Sequence, residues 1–144
     1  MELVSLLKSV AVFEGLSDAE LERVARICRE ARYRKGDVIT AQGQPGHELF
    51  VVCEGMVEVN IGAGGGARSV VNLGTGQVVG EMALVDGGPR SATVRCVADT
   101  FVYVIERDAF ERLCDADHQI GLVVYRNLAA DLSFKLRHEH LTRR

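Results

Sequence analysis

The chain lacks any apolar run long enough to span a bilayer, although 47% of its 144 residues are hydrophobic. Its opening residues, Met-Glu-Leu-Val-Ser-Leu-Leu-Lys, also lack the basic region, long apolar run and cleavage site of a secretory signal. We therefore expect a soluble protein with no membrane segment in this chain, located in the cytoplasm.

An excess of positive charge is missing as well, because the formal net charge is −3. That balance argues against a nucleic-acid-binding surface over the whole domain, so we expect no nucleic acid to be bound by this domain alone. A local basic tail remains near the end, at Lys135, Arg137, Arg143 and Arg144. We interpret them as a solvated helix terminus.

The chain has no Cys-x-x-Cys pair, which leaves zinc-ribbon and thioredoxin-like folds without support. Its four cysteines are scattered at Cys28, Cys53, Cys96 and Cys114, and we expect buried reduced thiols. His138 and His140 form a His-x-His pair, but in a helix residues two apart point to different faces. A metal-binding cupin enzyme would need that pair on a strand. We expect no metal site and, without a nucleophile beside a base, no enzyme.

The length fits one domain over residues 1–144, divided into an N-terminal helical segment (1–32), a β-rich region (33–106) and C-terminal helices (107–144). Ser17-Asp18-Ala19-Glu20 is a capping box, with Leu16 and Leu21 placed as a hydrophobic staple. Apolar residues at helical spacing follow, so the sequence predicts a helix over 18–30.

The β-rich region has short apolar segments separated by glycine turns. They predict strands at 37–41, 48–53, 56–61, 68–73, 77–79, 92–97 and 101–105. This pattern favours an antiparallel sandwich or jelly roll. The glycine-rich tract at 62–66 lacks the Gly-Lys-Ser/Thr ending of a phosphate loop, and we interpret it as a flexible hairpin tip.

Two helices are predicted after the strands, over 108–114 and 118–141. In the second, apolar residues recur every fourth position, at Ile120, Val124, Leu128, Leu132 and Leu136. The pattern predicts one broad apolar face, suited to covering the sheets or to pairing with another helix. We therefore expect a homodimer through this helix.

The stretch from 79 to 94 combines two groups that suit a phosphorylated sugar. The Glu81 carboxylate can accept a hydrogen bond from a sugar hydroxyl, and the Arg90 guanidinium can donate a forked pair to phosphate oxygens. Ala83 is small enough for its backbone N–H to approach a ligand, and Gly87-Gly88 allows the loop to reverse. The predicted ligand carries a ribose-like hydroxyl close to a phosphate.

This stretch resembles the phosphate-binding cassette of cyclic nucleotide-binding domains, whose pattern is Phe-Gly-Glu-x-Ala-Leu, a short spacer and Pro-Arg-x-Ala. The matching positions are Gly80, Glu81, Ala83, Leu84, Pro89, Arg90 and Ala92, while Val79 replaces the usual aromatic residue. Segments 33–39, 42–46 and 54–59 follow the same family's glycine-marked turns. The resemblance implies a mainly β fold with flanking α-helices: an antiparallel β-roll (a jelly-roll-like barrel), an N-terminal helix and a C-terminal lid helix.

The resemblance also implies that Glu81 binds the ribose 2′-hydroxyl of cyclic AMP or cyclic GMP and that Arg90 binds its exocyclic phosphate oxygens. The full ligand-binding set implied in this way is Gly80, Glu81, Met82, Ala83, Arg90, Ser91 and Ala92. Asp131, Phe134 and Lys135 are possible lid contacts to the base. The transcription-factor branch has adjacent small hydroxyl residues where this chain has Lys135-Leu136.

The implied function is a regulatory sensor module in which ligand repositions the lid helix. Threonine directly after the cassette arginine favours cyclic GMP in this family, and alanine is typical of cyclic AMP receptors. Ser91 keeps a hydroxyl on a smaller side chain, so we expect cyclic AMP to be preferred. The alternatives are a nucleotide-independent interaction or dimerisation domain on the same fold, and the metal-dependent cupin enzyme. No helix-turn-helix follows the lid, so we expect a free-standing receptor or the sensor part of a longer protein.

Overall fold

The computed structural model describes residues 2–61 and 69–142. Within these ranges the helices are α1 (Leu3–Lys8), α2 (Asp18–Arg26), α3 (Arg107–Ala116) and α4 (His118–Thr142). The strands are β1 (Cys28–Tyr33), β2 (Val38–Thr40), β3 (Glu48–Glu54), β4 (Val57–Ile61), β5 (Ser69–Leu73), β6 (Val78–Val79), β7 (Thr93–Cys96) and β8 (Thr100–Glu106). Two 3₁₀ turns cover Ala11–Phe13 and Glu81–Leu84. The glycine tract at 62–66, Arg143 and Arg144 lie outside the described residues.

The strands form two antiparallel four-stranded sheets, which confirms the predicted β-roll with flanking helices. The first sheet has the order β1-β8-β3-β6 and the second the order β2-β7-β4-β5. Alternate residues of β3 enter two different cores, because successive side chains of a strand point to opposite faces. Leu49 and Val51 pack with the helices, whereas Phe50 and Val52 pack with the second sheet.

The capping box begins α2 as predicted, but the predicted end of this helix is wrong. The Ser17 N–H donates to Glu20 Oε1 at 2.8 Å, and the Glu20 N–H donates to Ser17 Oγ at 3.2 Å. The helix ends at Arg26, and β1 starts at Cys28 instead of continuing the helix to Glu30. All six residues of β1 pair with β8, so a tertiary partner overrides the local helical preference. The first sheet therefore begins inside the segment expected to be helical.

Helix α1 was not predicted from the sequence, because it has only six residues and no side-chain cap. Leu6 and Leu7 are fully buried and give this short helix its tertiary support. Helix α3 spans Arg107–Ala116 and is slightly longer than the predicted 108–114. The ring of Phe110 on α3 packs edge-on against Tyr125 of α4, with centroids 5.8 Å apart.

The predicted apolar face of α4 is buried only along its first half. Ile120, Val124 and Leu128 are buried in the helical core, whereas Leu132 is half-buried and Leu136 is 65% exposed. The helix thus leaves the core after Leu128. Asn127 fixes its first half, because the side-chain amide donates to the carbonyl oxygens of Val12 and Glu14 at 3.0 and 2.8 Å.

The cysteines are free thiols, as expected from their spacing. Cys53 and Cys96 are buried, while Cys28 and Cys114 are half-buried. Burial raises the pKa of Cys28 to about 12 and, together with nearby acidic residues, that of Cys114 to about 11. The His-x-His pair lies on α4.

Two other features are absent from residues 2–61 and 69–142. No group of three or more metal-binding side chains is found in this part of the chain. None of the helices there combines the length and apolar character needed to cross a membrane.

Candidate functional site

A cavity of about 430 Å³ lies beside the Glu81–Leu84 turn. Its walls come from β2, β4 to β7, the segment before β7, and one residue of α4. The predicted ligand-binding residues that line it are Gly80, Glu81, Met82, Ala83, Arg90, Ser91 and Ala92, together with the predicted lid residue Lys135. Residues of the Glu81–Leu84 turn, of the segment before β7 and of α4 thus face the same cavity.

Gly80 sets the geometry of the turn that carries Glu81. Its φ is +82°, in the left-handed region that glycine adopts without a Cβ penalty. A Cβ on Gly80 would lie 2.4 Å from Nη1 of Arg90 and 2.8 Å from the carbonyl oxygen of Glu48. The Ala83 N–H, predicted to approach the ligand, donates to the Gly80 carbonyl at 2.9 Å and closes the turn. Glycine at this position allows the turn and the Arg90 guanidinium to approach each other.

Arg90 is held by a turn that lies more than forty residues earlier in the chain. The Arg90 N–H donates to Gln44 O at 2.7 Å, and the Gly43 N–H donates to Arg90 O at 2.9 Å. The side chain crosses Gly46 so closely that a Cβ there would lie 2.2 Å from Nε. Its guanidinium carbon lies 5.7 Å from the ring centroid of Phe50. Gly46 and Phe50 were not predicted as site residues, and the only sequence signal was the Pro45-Gly46 turn.

The guanidinium of Arg90 is available to an anion. Among the residues that the structure describes, no carboxylate lies within 4.0 Å of it. Burial lowers the pKa of Arg90 and the charge of Glu48 raises it, with a net decrease. Glu48 itself binds Arg29 at 2.7 Å. An arginine in such surroundings stays protonated at neutral pH because its ordinary pKa is so high.

Glu81 has a cationic partner from the far end of the chain. Nζ of Lys135 lies 3.4 Å from Glu81 Oε1 and 2.9 Å from Asp131 Oδ2. Burial lowers the pKa of Lys135, but the hydrogen bond to Asp131 and the charge of Glu81 together raise it overall. Helix α4 thereby contributes a charge to the same cavity as the cassette.

The other two predicted lid residues lie outside this cavity. Phe134 is 59% exposed and stacks on His138, with ring centroids 3.8 Å apart. Asp131 lines a second cavity of about 380 Å³ between α4 and the Ala11–Phe13 turn. The structure brings Lys135 to the cassette but leaves Phe134 on the outer side of the helix.

The spacer of the cassette reverses as its glycines predicted. Gly87 has a φ of +64°, and Asp86 Oδ1 accepts a hydrogen bond from the Gly88 N–H at 2.9 Å. The Gly46 N–H donates to Gly88 O at 3.2 Å. The Gln44–Gly46 turn is therefore hydrogen-bonded both to the spacer, at Gly88, and to the backbone of Arg90.

Comparison with known proteins identifies the family. The model of the family described as "Cyclic nucleotide-binding domain" matches residues 30–117, more than half of the chain. This chain belongs to the cyclic nucleotide-binding domain family. Its members are regulatory modules, so the cupin enzyme alternative is set aside.

Curated relatives of this cyclic nucleotide-binding domain include receptors and channels. The cyclic AMP receptor protein of Thermus thermophilus is 33% identical over 94% of this chain and 61% of its own length. A cyclic nucleotide-gated potassium channel of Mesorhizobium japonicum is 34% identical over 81% of this chain and 31% of its own length. The domain thus spans less than two thirds of each relative.

Solved structures support the same assignment. The catabolite activator protein of Thermus thermophilus superposes with a TM-score of 0.80 and 32% identity, covering 92% of this chain and 61% of that one. The regulatory domain of Toxoplasma gondii PKA, crystallised with cAMP, superposes with a TM-score of 0.77 and 29% identity. That match covers 91% of this domain and 48% of the other chain.

Proposed function

We propose that this domain is a sensor that binds a cyclic nucleotide, with cyclic AMP preferred over cyclic GMP, and responds by repositioning helix α4. The observation that carries the proposal is that Arg90 and Glu81 line one cavity of about 430 Å³, while no carboxylate of the described residues lies within 4.0 Å of the Arg90 guanidinium. That volume lies in the range of small-molecule sites, about 300–1,000 Å³.

Each group has a distinct role in this proposal. The guanidinium of Arg90 donates a forked pair of hydrogen bonds to the exocyclic oxygens of the cyclic phosphate. The carboxylate of Glu81 accepts from the ribose 2′-hydroxyl. Met82, Ala83, Ser91 and Ala92 line the same wall and surround the phosphate and sugar. Because Ala83 N–H donates to Gly80 O, a phosphate oxygen would share that donor.

Helix α4 acts as the lid. Lys135 already lines the cavity, while Asp131 and Phe134 lie on the same helix just outside it. A base bound beyond the ribose would contact Phe134 only after the distal half of the helix turns. The proposed signal is this change between two positions of α4.

Selectivity is assigned to Ser91, an exposed residue in the cavity wall. Its hydroxyl lacks the adjacent methyl group that restricts the rotamer of a threonine, so it is less firmly oriented toward the guanine amino group. We expect cyclic GMP to bind more weakly than cyclic AMP by about 1–2 kcal/mol, the contribution of one neutral hydrogen bond. Competition titration with both nucleotides tests this, and equal or reversed affinities would contradict it. Ser91→Ala then shows whether the hydroxyl is responsible.

Substitutions of Arg90 test the assignment of the cassette. Arg90→Ala removes the phosphate partner and leaves a charge stranded in a partly desolvated cavity, so we expect a loss of about 2–5 kcal/mol in binding. Arg90→Lys should recover only part of that loss. Arg95→Ala is the matched control, because Arg95 is exposed on β7 and bonds to Gly36 O outside the cavity. Calorimetric titration gives the affinities, and thermal melts show that the variants fold.

The Glu81 role is tested with a modified ligand. Glu81→Ala should cost about 1.5–3 kcal/mol for cyclic AMP, the contribution of one charged hydrogen bond. A 2′-deoxy cyclic nucleotide should bind the wild type weakly, and its affinity should hardly change in the Glu81→Ala variant.

The Arg90 variants decide the assignment of the whole cassette. A folded Arg90→Ala variant that binds cyclic AMP as tightly as the wild type would overturn that assignment.

A second candidate function is a dimerisation domain that does not need nucleotide. It is favoured by the exposed apolar side chains of α4, since Leu122, Phe134 and Leu136 are each more than half exposed. A titration of the wild type with cyclic AMP separates the two candidates. Binding supports the sensor, and absence of binding supports the dimerisation domain.

A further inference from the structure

The proposed ligand creates an electrostatic conflict in this cavity. A cyclic nucleotide carries one negative charge on its phosphate, and the group proposed to bind its sugar is the carboxylate of Glu81. Asp86 adds a second acidic side chain to the lining. Because Glu81 is only 23% exposed, solvent screens its charge incompletely. Arg90, which we propose to bind the phosphate, forms no ion pair with Glu81 in the structure.

Lys135 lies where it can resolve that conflict. Its Nζ is 3.4 Å from Glu81 Oε1, although the two residues are separated by 54 positions in the sequence. Asp131, one turn earlier on α4, holds the same ammonium at 2.9 Å. Asp131 thereby orients the Lys135 ammonium toward Glu81 of the cassette. Glu81 keeps a second carboxylate oxygen for a ligand hydroxyl.

The same contact also docks the distal half of α4. Helix α4 leaves the core after Leu128, and Phe134 and Leu136 are exposed. Residues 129–138 form one hydrogen bond or ion pair with described residues outside α4, and that contact is the Lys135–Glu81 pair. Both cavities are lined by Glu81 and Lys135, so this pair, with Leu73 and Val78, lies between them.

We propose that Lys135 is a positioning residue that neutralises Glu81, allowing a cavity with a carboxylate to accept an anionic ligand only when α4 is docked. The inference rests on the proposed function. Helix docking and ligand affinity then both depend on the Lys135–Glu81 contact. By linkage, the ligand strengthens docking by the same factor by which docking strengthens binding.

The central test compares cyclic AMP affinities at low ionic strength for the wild type, Lys135→Gln, Lys135→Arg and Arg137→Gln. Lys135→Gln should weaken binding about threefold to fivefold, the upper range for a partly exposed ion pair. Lys135→Arg should recover most of the affinity. Arg137→Gln removes the same charge from an exposed residue of the same helix, and should change affinity by less than about twofold.

A double-mutant cycle with Glu81→Gln separates neutralisation from general attraction between Lys135 and the phosphate. If Lys135 acts through Glu81, the cost of Lys135→Gln should fall below about twofold once Glu81 is neutral. Equal costs in both backgrounds would overturn the inference, because they would show that Lys135 attracts the ligand directly. Tighter binding by Lys135→Gln would also overturn it, since the lysine would then compete with the sugar hydroxyl.

Amide hydrogen exchange gives a readout that does not depend on ligand. Without nucleotide, residues 129–138 should exchange faster in Lys135→Gln than in the wild type or in Arg137→Gln. Unchanged exchange would overturn the docking role. A wild type that binds neither nucleotide would instead overturn the proposed function and, with it, the ligand role of Lys135. A wild type that binds, with Lys135→Gln indistinguishable from Arg137→Gln, overturns only this inference.

Discussion

At the scale of single residues, two glycines decide where the Arg90 guanidinium lies. A Cβ at Gly80 would meet Nη1, and a Cβ at Gly46 would meet Nε at 2.2 Å. Gly80 also has a positive φ, whereas Gly46 does not. Substitution of Gly46 therefore moves the arginine without straining the backbone, and substitution of Gly80 does both.

Gly46→Ala should weaken cyclic AMP binding about tenfold or more while leaving the melting temperature nearly unchanged. The new methyl group displaces the arginine side chain, and 1.4 kcal/mol of lost interaction corresponds to about tenfold in affinity. Calorimetric titration and a thermal melt measure the two effects.

Gly36→Ala is the matched control for Gly46→Ala. Gly36 has a φ of +93°, and a Cβ there would meet none of the described atoms within 4 Å. The Gly36→Ala variant should lose about 1–2 kcal/mol of stability through the left-handed backbone and keep its affinity. Equal affinity of Gly46→Ala and wild type would show that Arg90 does not hold the ligand in this geometry.

At the scale of elements, the local signals located the start of α2 but not its end. The capping box of Ser17 and Glu20 needs only four consecutive residues, so the sequence contains all of it. The strand identity of Cys28–Tyr33 depends on β8, more than sixty residues away, and local patterns cannot report such a partner. The other strands lie within two residues of their predicted bounds, and glycine turns delimit most of them.

Ser17→Ala should lower the free energy of unfolding by about 1 kcal/mol, because the Glu20 backbone N–H loses the Ser17 hydroxyl that accepts its hydrogen bond. Chemical denaturation measures this loss. Ser5→Ala, an exposed serine within α1, is the control and should cost little, since alanine is the better helix former. A cost for Ser17→Ala no larger than that of Ser5→Ala would show that the box contributes nothing to stability.

The candidate site also has a part that could be predicted from the sequence and a part that could not. Glu81 and Arg90 were predictable because the cassette pattern places them nine residues apart in one segment. Gly46, Phe50 and the Lys135–Glu81 pair join segments that are far apart in sequence. Their part in the site depends on how the sheets and α4 pack, which composition and spacing do not specify.

At the scale of the whole molecule, α4 presents a second apolar line to solvent. Leu122 and Leu136 are 52% and 65% exposed, and Ala129 lies midway between them, seven residues from each. This heptad spacing is typical of helices that pair with another helix. The first half of the predicted face, from Ile120 to Leu128, is instead buried inside the domain. The homodimer thus remains a proposal, now assigned to a different line of side chains.

Sedimentation at high micromolar concentration should show a dimer, and Leu136→Glu should convert it to monomer by placing a charge in the apolar line. Val38→Glu, which changes an exposed valine of β2, should leave the dimer intact. Monomer alone, with and without nucleotide, would remove the dimer and leave the proposed lid role of α4 standing.

The double-sided burial of β3 has a consequence for how the protein melts. Its alternate residues belong to the helical core and to the core between the sheets, so neither core can lose its order while the other keeps its packing. Heat should therefore unfold both in one cooperative transition, with equal calorimetric and van't Hoff enthalpies. A nucleotide held between the sheets would then raise the melting temperature of the helices as well, including those that it never touches.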